Sequence, residues 1–395
     1  MSDEPKLDLR IRNGGDRRTG VDRRRGRRGP ERRQRERRRL RLIVNTGALL
    51  AALTLPTNPR GSPQSRRHHL GFLLGPFGTS LTVRPAPAFP LDMNDAIRAA
   101  VRGYAGQPFV AEALSRGAKY LPRIQRTFAD ERVPPELAYV ALVESEFRPT
   151  AESWAKARGV WQFMPKTGER FGLEQDEWID ERSDPDKATA AAARYLRILY
   201  EMFGDWNLAL AAYNAGEGTV SRAIARHRTA DFWRLARLGA LPEETRHYVP
   251  RVHAAITVAR DPERYGLTIA PEPVVETDVV PVADAVDLQL VANCVDTDVG
   301  ALREMNPALR RQATPLGAEF ELRVPEGTAV AVERCLEAIA PDRRVRIHIV
   351  ARGQTLRGLA RLYRTDVDRL ADANAINPGE KLPRGAPLVI PVLEE

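Results

Sequence analysis

At 395 residues with 43% hydrophobic side chains, the chain is long enough for two or three domains with cores of their own, and global disorder is excluded. Its net charge of +9 is unevenly spread: residues 1–41 hold 17 basic against 7 acidic side chains, so the remainder is close to neutral and gives no electrostatic reason to bind nucleic acid. Six His and two Cys, without CxxC, HExxH or comparable spacing, argue against a metal site, and no cofactor is implied.

Residues 1–41 are Arg-rich without apolar periodicity and read as a disordered tail. Residues 42–90 hold two export candidates and a linker. The first, 42–55, is 14 largely apolar residues, short for a membrane span but suited to a signal core. The second, 70–83, follows Arg66 and Arg67 and precedes Ala86-Pro87-Ala88, a small-x-small cleavage pattern. Either stretch predicts export. Retention of the first would attach the chain to a membrane through its N-terminal region, with the Arg tail on the cytoplasmic side. The Pro-rich run 85–90 reads as the linker.

From residue 93 the pattern turns helical. Spacing predicts helices over 110–120, 122–130, 133–144, 188–203 behind the start signal Asp184-Pro185, 206–215 stopped by Gly216, 220–226 and 243–258. With almost no period-2 alternation, 93–265 reads as one all-α domain. The helix over 133–144 opens with Pro134 and Pro135, tolerated only in a first turn, and runs apolar from Leu137 to Val143 before reaching Glu144. Residues three and four apart share a helix face, so Glu144 lies over Val140 and Ala141. Desolvation there would raise its pKa, as a general acid near neutral pH requires; a helix-end Glu paired with an Arg is the plainer alternative.

Residues 262–281, rich in Pro, Glu and Val, read as a second linker. A small module at 282–338 follows, with helices over 288–295, 299–306 and 329–339 and a strand over 320–324. Cys294 and Cys335 both fall inside it, as one disulfide in an oxidising compartment or as two buried thiols. The stretch 345–392 opens with alternating residues, passes through two short amphipathic helices and closes on an apolar strand, in the order β-α-α-β.

Three polar motifs punctuate the α domain: Glu144-Ser145, Gly159-Val160-Trp161-Gln162 and Ala212-Tyr213-Asn214. Each stands at a helix end or in an adjacent turn, where polar groups can converge on a groove. In this order, with Ser153 nine residues beyond Glu144, they resemble the soluble lytic transglycosylase family over about residues 120–265. The resemblance implies a multidomain protein whose all-α domain is lysozyme-like and cleaves the β-1,4 bond between N-acetylmuramic acid and N-acetylglucosamine, leaving a 1,6-anhydro end. It implies Glu144 as the catalytic acid and Ser153, Gln162, Tyr213, Asn214 and Tyr248 as substrate-binding positions, with Tyr248 near the acid; core packing is the alternative for Tyr213. Glu146 is a rival acid, but two residues along a helix it should face elsewhere as a solvated charge. Asp180, Asp184 and Asp205 are candidate second carboxylates of a hydrolase, Asp184 being better read as a helix cap. Lys156 departs from the small residues usual in the family and leaves the loop shape open.

The β-α-α-β stretch, 345–392, resembles a LysM domain, which implies glycan contacts at Gln354, Thr355, Leu356, Asn374 and Ile376; His348 stands where that family has Tyr. Residues 282–338 resemble the middle region of the same transglycosylases as a degenerate LysM, without implying a ligand. Together these imply peptidoglycan glycan strands as partner and the bacterial periplasm or cell envelope as location; oligomeric state is left open. A lysozyme-like hydrolase and a non-catalytic wall-binding scaffold are the alternative readings.

Overall fold

The computed structural model describes residues 88–391, so the expected tail and both export candidates lie outside the described residues. The helical part comprises α1 (Asp95–Tyr104), α2 (Pro108–Gly117), α3 (Leu121–Asp130), a 3-10 turn (Pro135–Tyr139), α4 (Val140–Ser145), α5 (Pro165–Arg170), α6 (Pro185–Phe203), α7 (Trp206–Ala215), α8 (Glu217–His227), α9 (Phe232–Arg237) and α10 (Glu243–Arg260). At its centre lies α7, in which every residue from Trp206 to Ala212 is buried, as expected of a helix packed on all sides. Caps set the helix starts: Asp184 accepts from the backbone of Asp186 and Lys187 to open α6, and Asp205 accepts from Leu208 to open α7. The short helices α5 and α9 were not expected, because six residues carry too little periodicity to read. The core also reaches back into the expected linker. Phe89 is 7% exposed and its ring lies 4.7 Å from that of His253, so this core begins before residue 93.

Two small α/β modules follow. In the first, β1 (Thr277–Val282) pairs antiparallel with β2 (Phe320–Pro325), and α11 (Leu288–Cys294), α12 (Val299–Met305) and α13 (Ala329–Ala338) pack on them. The reading of 277–281 as linker is therefore corrected. In a two-stranded sheet both strands are edges, so Pro281 is tolerated, and the buried Val280 and Val282 alternate with Val279, which is exposed. Cys294 and Cys335 form a disulfide that ties α11 to α13. The second module is β3 (Ile347–Ile349), α14 (Leu356–Tyr363), α15 (Val367–Asp372) and β4 (Pro387–Val389), the expected β-α-α-β order.

The three cores interlock. A strap from the α domain inserts Trp178 and Ile179 into the core of the first module, where Asp180 N–H donates to Ala308 O at 2.8 Å and Arg310 N–H to Trp178 O at 2.8 Å. The Arg311 guanidinium lies 4.5 Å over the Trp178 ring. Around β4 the side chains alternate between cores: Leu388 and Ile390 belong to the last module, whereas Val389 is buried in the one before it.

The disulfide closes a loop whose ends are 41 residues apart, which constrains the unfolded chain by about 3–4 kcal/mol. Replacing both Cys294 and Cys335 with Ala should lower the unfolding free energy by about that amount and so lower the urea midpoint; an unchanged midpoint in urea titration would count against that contribution.

Candidate active site

The site begins with the way α4 ends. Glu146 and Phe147 both take left-handed backbone, with φ of 55° and 59°, a conformation that costs a non-glycine residue about 1–2 kcal/mol. The turn is held by Phe147 N–H donating to Ala141 O at 3.2 Å, by the Arg116 guanidinium donating to Glu146 O at 2.6 Å, and by burial of the Phe147 ring against Gly117. A Cβ at Gly117 would stand 2.7 Å from that ring. The helix therefore stops at Ser145, and Glu144 occupies its last turn at the mouth of an open cavity of about 380 Å³.

Facing it is the Gly-x-x-Gln loop. Gly159 has φ +87°, and a Cβ there would lie 1.7 Å from the Arg182 carbonyl oxygen, so only glycine fits. Ser145 Oγ donates to Val160 O at 2.8 Å, tying the helix end to this loop. On the far side of the loop, Tyr213 donates its hydroxyl to Trp161 O at 2.8 Å, and the buried Trp161 indole donates to Thr189 Oγ1 at 2.9 Å. Gln162 donates its amide to Gly159 O and Ala151 O, which leaves its carbonyl oxygen for a ligand. The buried Arg182 reaches the same loop with its guanidinium, donating to Lys156 O and Phe163 O while it pairs with Asp180 at 2.7 Å.

Glu144 is only partly open to the cavity, and desolvation by the surrounding protein raises its carboxyl from 4.5 to about 7. Two neighbours oppose that rise. The buried Tyr248 donates its hydroxyl to Glu144 Oε1 at 2.6 Å, and the nearby Arg251 guanidinium favours the carboxylate; Glu244 pushes the other way. The Tyr248 hydroxyl is itself held well above its ordinary value by burial and the adjacent carboxyl, so it remains a proton donor. The result is an acid poised near neutrality, able both to give and to take a proton.

Glu144, Ser153 and Gln162 line one cavity, and Tyr248 bonds the acid from behind it. Tyr213 and Asn214 are not among the residues that line it. Asn214 accepts from Thr245 Oγ1 at 2.7 Å and donates to Glu244, fastening the end of α7 to the start of α10, the helix that carries Tyr248. Glu146 departs from expectation: because the backbone leaves the helix there, its carboxylate lines the same cavity, paired with Arg148 at 2.7 Å. Glu152 also lines it, held below the usual carboxylate range by Lys156 and Arg158. Asp180, Asp184 and Asp205 stand elsewhere, in the Arg182 pair and in two helix caps.

Sequence reasoning missed Arg251, Tyr104 and Phe109, all of which line the cavity, and held Ser145 only as part of a motif. Arg251 was within reach, since it follows Tyr248 by one helical turn and shares its face. In the last module the positions expected to bind glycan are largely engaged within the fold. Asn374 is buried and exchanges hydrogen bonds with Val389, Leu356 is buried, and Thr355 caps α14. Gln354 Oε1 accepts from Ala351 N and meets His348 Nε2, and Ile376 packs partly against the module core.

A helical domain with one poised acid over an open cleft, followed by two small α/β modules, fits the resemblance to the lytic transglycosylases drawn from the motifs. Family models agree: the transglycosylase SLT domain matches residues 122–236, the LysM-like domain of lytic transglycosylase MltD residues 276–340, and the LysM domain residues 348–391. Membrane-bound lytic murein transglycosylase D of Escherichia coli is 31% identical over 321 residues, 75% of this chain and 69% of its own. Membrane-bound lytic murein transglycosylase F of Maricaulis maris is 36% identical over 157 residues, 35% of this chain and 33% of its own. Among solved structures, the 70 kDa soluble lytic transglycosylase of Escherichia coli aligns with 36% of this chain and 24% of its own, at 26% identity and a TM-score of 0.32. The chain belongs to the lytic murein transglycosylase family, with the peptidoglycan lytic transglycosylase function general to it.

Two measurements check the electrostatics. Because the Tyr248 hydrogen bond favours the carboxylate, Tyr248→Phe should move the alkaline limb of the pH–rate profile upward from about 7 and lower the rate about 10–100-fold. A limb that stays in place would show that the bond does not set the acid. The raised folded value also makes stability depend on pH: the contribution of Glu144 is fully present below about 4.5 and is lost as pH rises through about 7. Glu144→Gln should therefore be about 1–3 kcal/mol more stable to unfolding than wild type at pH 8, with the difference vanishing below pH ~4.

Proposed function

We propose that Glu144 is the single acid and base with which this enzyme cuts the glycan between N-acetylmuramic acid and N-acetylglucosamine. The observation that carries this is the Glu144 carboxyl, raised to about 7, bonded by Tyr248 and open to the cleft. Protonated Glu144 gives its proton to the glycosidic oxygen as the C1–O4 bond breaks. The resulting carboxylate then takes the proton of the C6 hydroxyl of the same muramic acid, and O6 bonds to C1. No water is consumed, the 1,6-anhydro ring forms, and Glu144 ends protonated for the next cycle. An intramolecular hydroxyl also has an effective concentration that free water lacks. The other carboxylates lining the cleft, Glu146 and Glu152, are paired with Arg148 and with Lys156 and Arg158, which makes them poor bases for activating water.

Around this acid, Ser153 and the carbonyl oxygen of Gln162 contact the sugars next to the scissile bond, whereas Tyr213 and Asn214 hold the loop and helix that position them. The last module contributes glycan affinity through the exposed loops around Thr355 and Ile376, and the chain works outside the cytoplasm in the cell envelope. Retention of residues 42–55 would attach the chain to a membrane through its N-terminal region; among the described residues no helix is long and apolar enough to cross one.

Mass analysis of murein digests tests the reaction. Anhydro ends are expected from wild type, and Glu144→Gln should lose at least about 10³-fold in rate. Reducing ends would replace the transglycosylase step with hydrolysis, and a Glu144→Gln variant that retains activity would remove Glu144 from the role.

A further inference from the structure

Among the described residues Trp154 is 96% exposed, well beyond the next large apolar side chain, Leu362 at 62%. A side chain of that size left in water forgoes about 2–3 kcal/mol of burial, and nothing in the fold of the turn requires it. Its backbone is nevertheless firmly held. Trp154 is the second residue of a turn closed by Lys156 N–H donating to Ser153 O at 2.9 Å, with Ser153 N–H donating to Ala157 O at 2.9 Å and Ala157 N–H to Ser153 Oγ at 3.0 Å. Glu152 binds the side chains of both Lys156 and Arg158 across the turn, and the buried Arg182 holds Lys156 O at 2.7 Å. The turn is thus fastened at both ends and displays its indole to solvent.

Its position is as telling as its exposure. The residues on its N-terminal side, Glu152 and Ser153, line the cavity of Glu144, and so does a second accessible aromatic, Phe109, which is 40% exposed. A pyranose ring in a β-1,4-linked N-acetylhexosamine strand presents a face of C–H groups, with its polar groups around the edge. A rigid aromatic side chain has few rotamers to lose on receiving such a face. We infer that Trp154 stacks on a sugar ring of the bound glycan at the rim of the cleft, beyond the scissile pair, and positions extended strands for cleavage. The inference rests on the glycan-cleaving function proposed above and adds to it a subsite outside the reacting sugars.

The test compares wild type, Trp154→Ala and Trp154→Phe on glycan strands of defined length freed of stem peptides. For long strands, Trp154→Ala should raise KM about tenfold while kcat moves less than about twofold, and Trp154→Phe should restore most of the affinity. Thermal unfolding serves as the control for folding, since the side chain is almost wholly exposed. A second readout needs no turnover: in the Glu144→Gln background, titration with N-acetylglucosamine oligomers should blue-shift the indole emission, and the shift should vanish when Trp154→Phe is added. If wild type cleaves but Trp154→Ala keeps its KM within twofold and the emission shift survives Trp154→Phe, the stacking role is overturned. If Trp154→Ala loses affinity for anionic phospholipid vesicles while its KM for glycan is unchanged, the indole serves a lipid surface and the inference is likewise overturned. If wild type proves inert on murein, the catalytic reading fails, and the Trp154-dependent emission shift still decides whether the indole binds glycan.

Discussion

Arg182 joins what would otherwise be separate parts of this protein. Its guanidinium is buried, paired with Asp180 and donating to two carbonyls of the cleft loop, while its own carbonyl fills the space that glycine leaves open at position 159. Two residues earlier the same strap has Asp180 N–H bonded to Ala308 and inserts Ile179 into the next module. A buried charge that loses its partner costs about 3–5 kcal/mol, so this pair fixes the strap in one place. The cleft loop and the docking of the neighbouring module thereby share a single anchor.

The chemistry proposed for Glu144 depends on a second balance, between burial and two partners on one helix. Burial alone would raise Glu144 further, and Tyr248 and Arg251 pull it back toward the neutral range. Both partners come from α10, whose start is fastened to the end of α7 through Asn214. The Ala-Tyr-Asn motif therefore works at one remove from the cleft: Tyr213 steadies the Gly-x-x-Gln loop, and Asn214 steadies the helix that carries the tyrosine and arginine around the acid.

Much of this was legible in the sequence where one residue type has one dominant local reason. Asp184 before Pro185 and Gly216 after Asn214-Ala215 mark helix ends through capping and backbone freedom, and both stand where they were expected. The apolar face beneath Glu144 made the raised acid foreseeable as well. What escaped depends on contacts between segments distant in the chain. The left-handed turn at Glu146 and Phe147 is imposed by Arg116 and Gly117, and no composition rule predicts it from Glu and Phe. For β1, a Pro-rich run looked like linker because its partner strand lies some forty residues later, and Phe89 looked like linker because its core neighbour belongs to α10. In the last module the motif residues could be located, but their being turned inward could not, since that depends on how β4 closes against Asn374.

The alternation of β4 also bears on how the protein closes up. Val389 completes the core of the module before it, and Leu388 and Ile390 complete their own. The first module's core therefore stays open on one side until β4 is in place, and a chain cut before residue 389 leaves two cores unclosed.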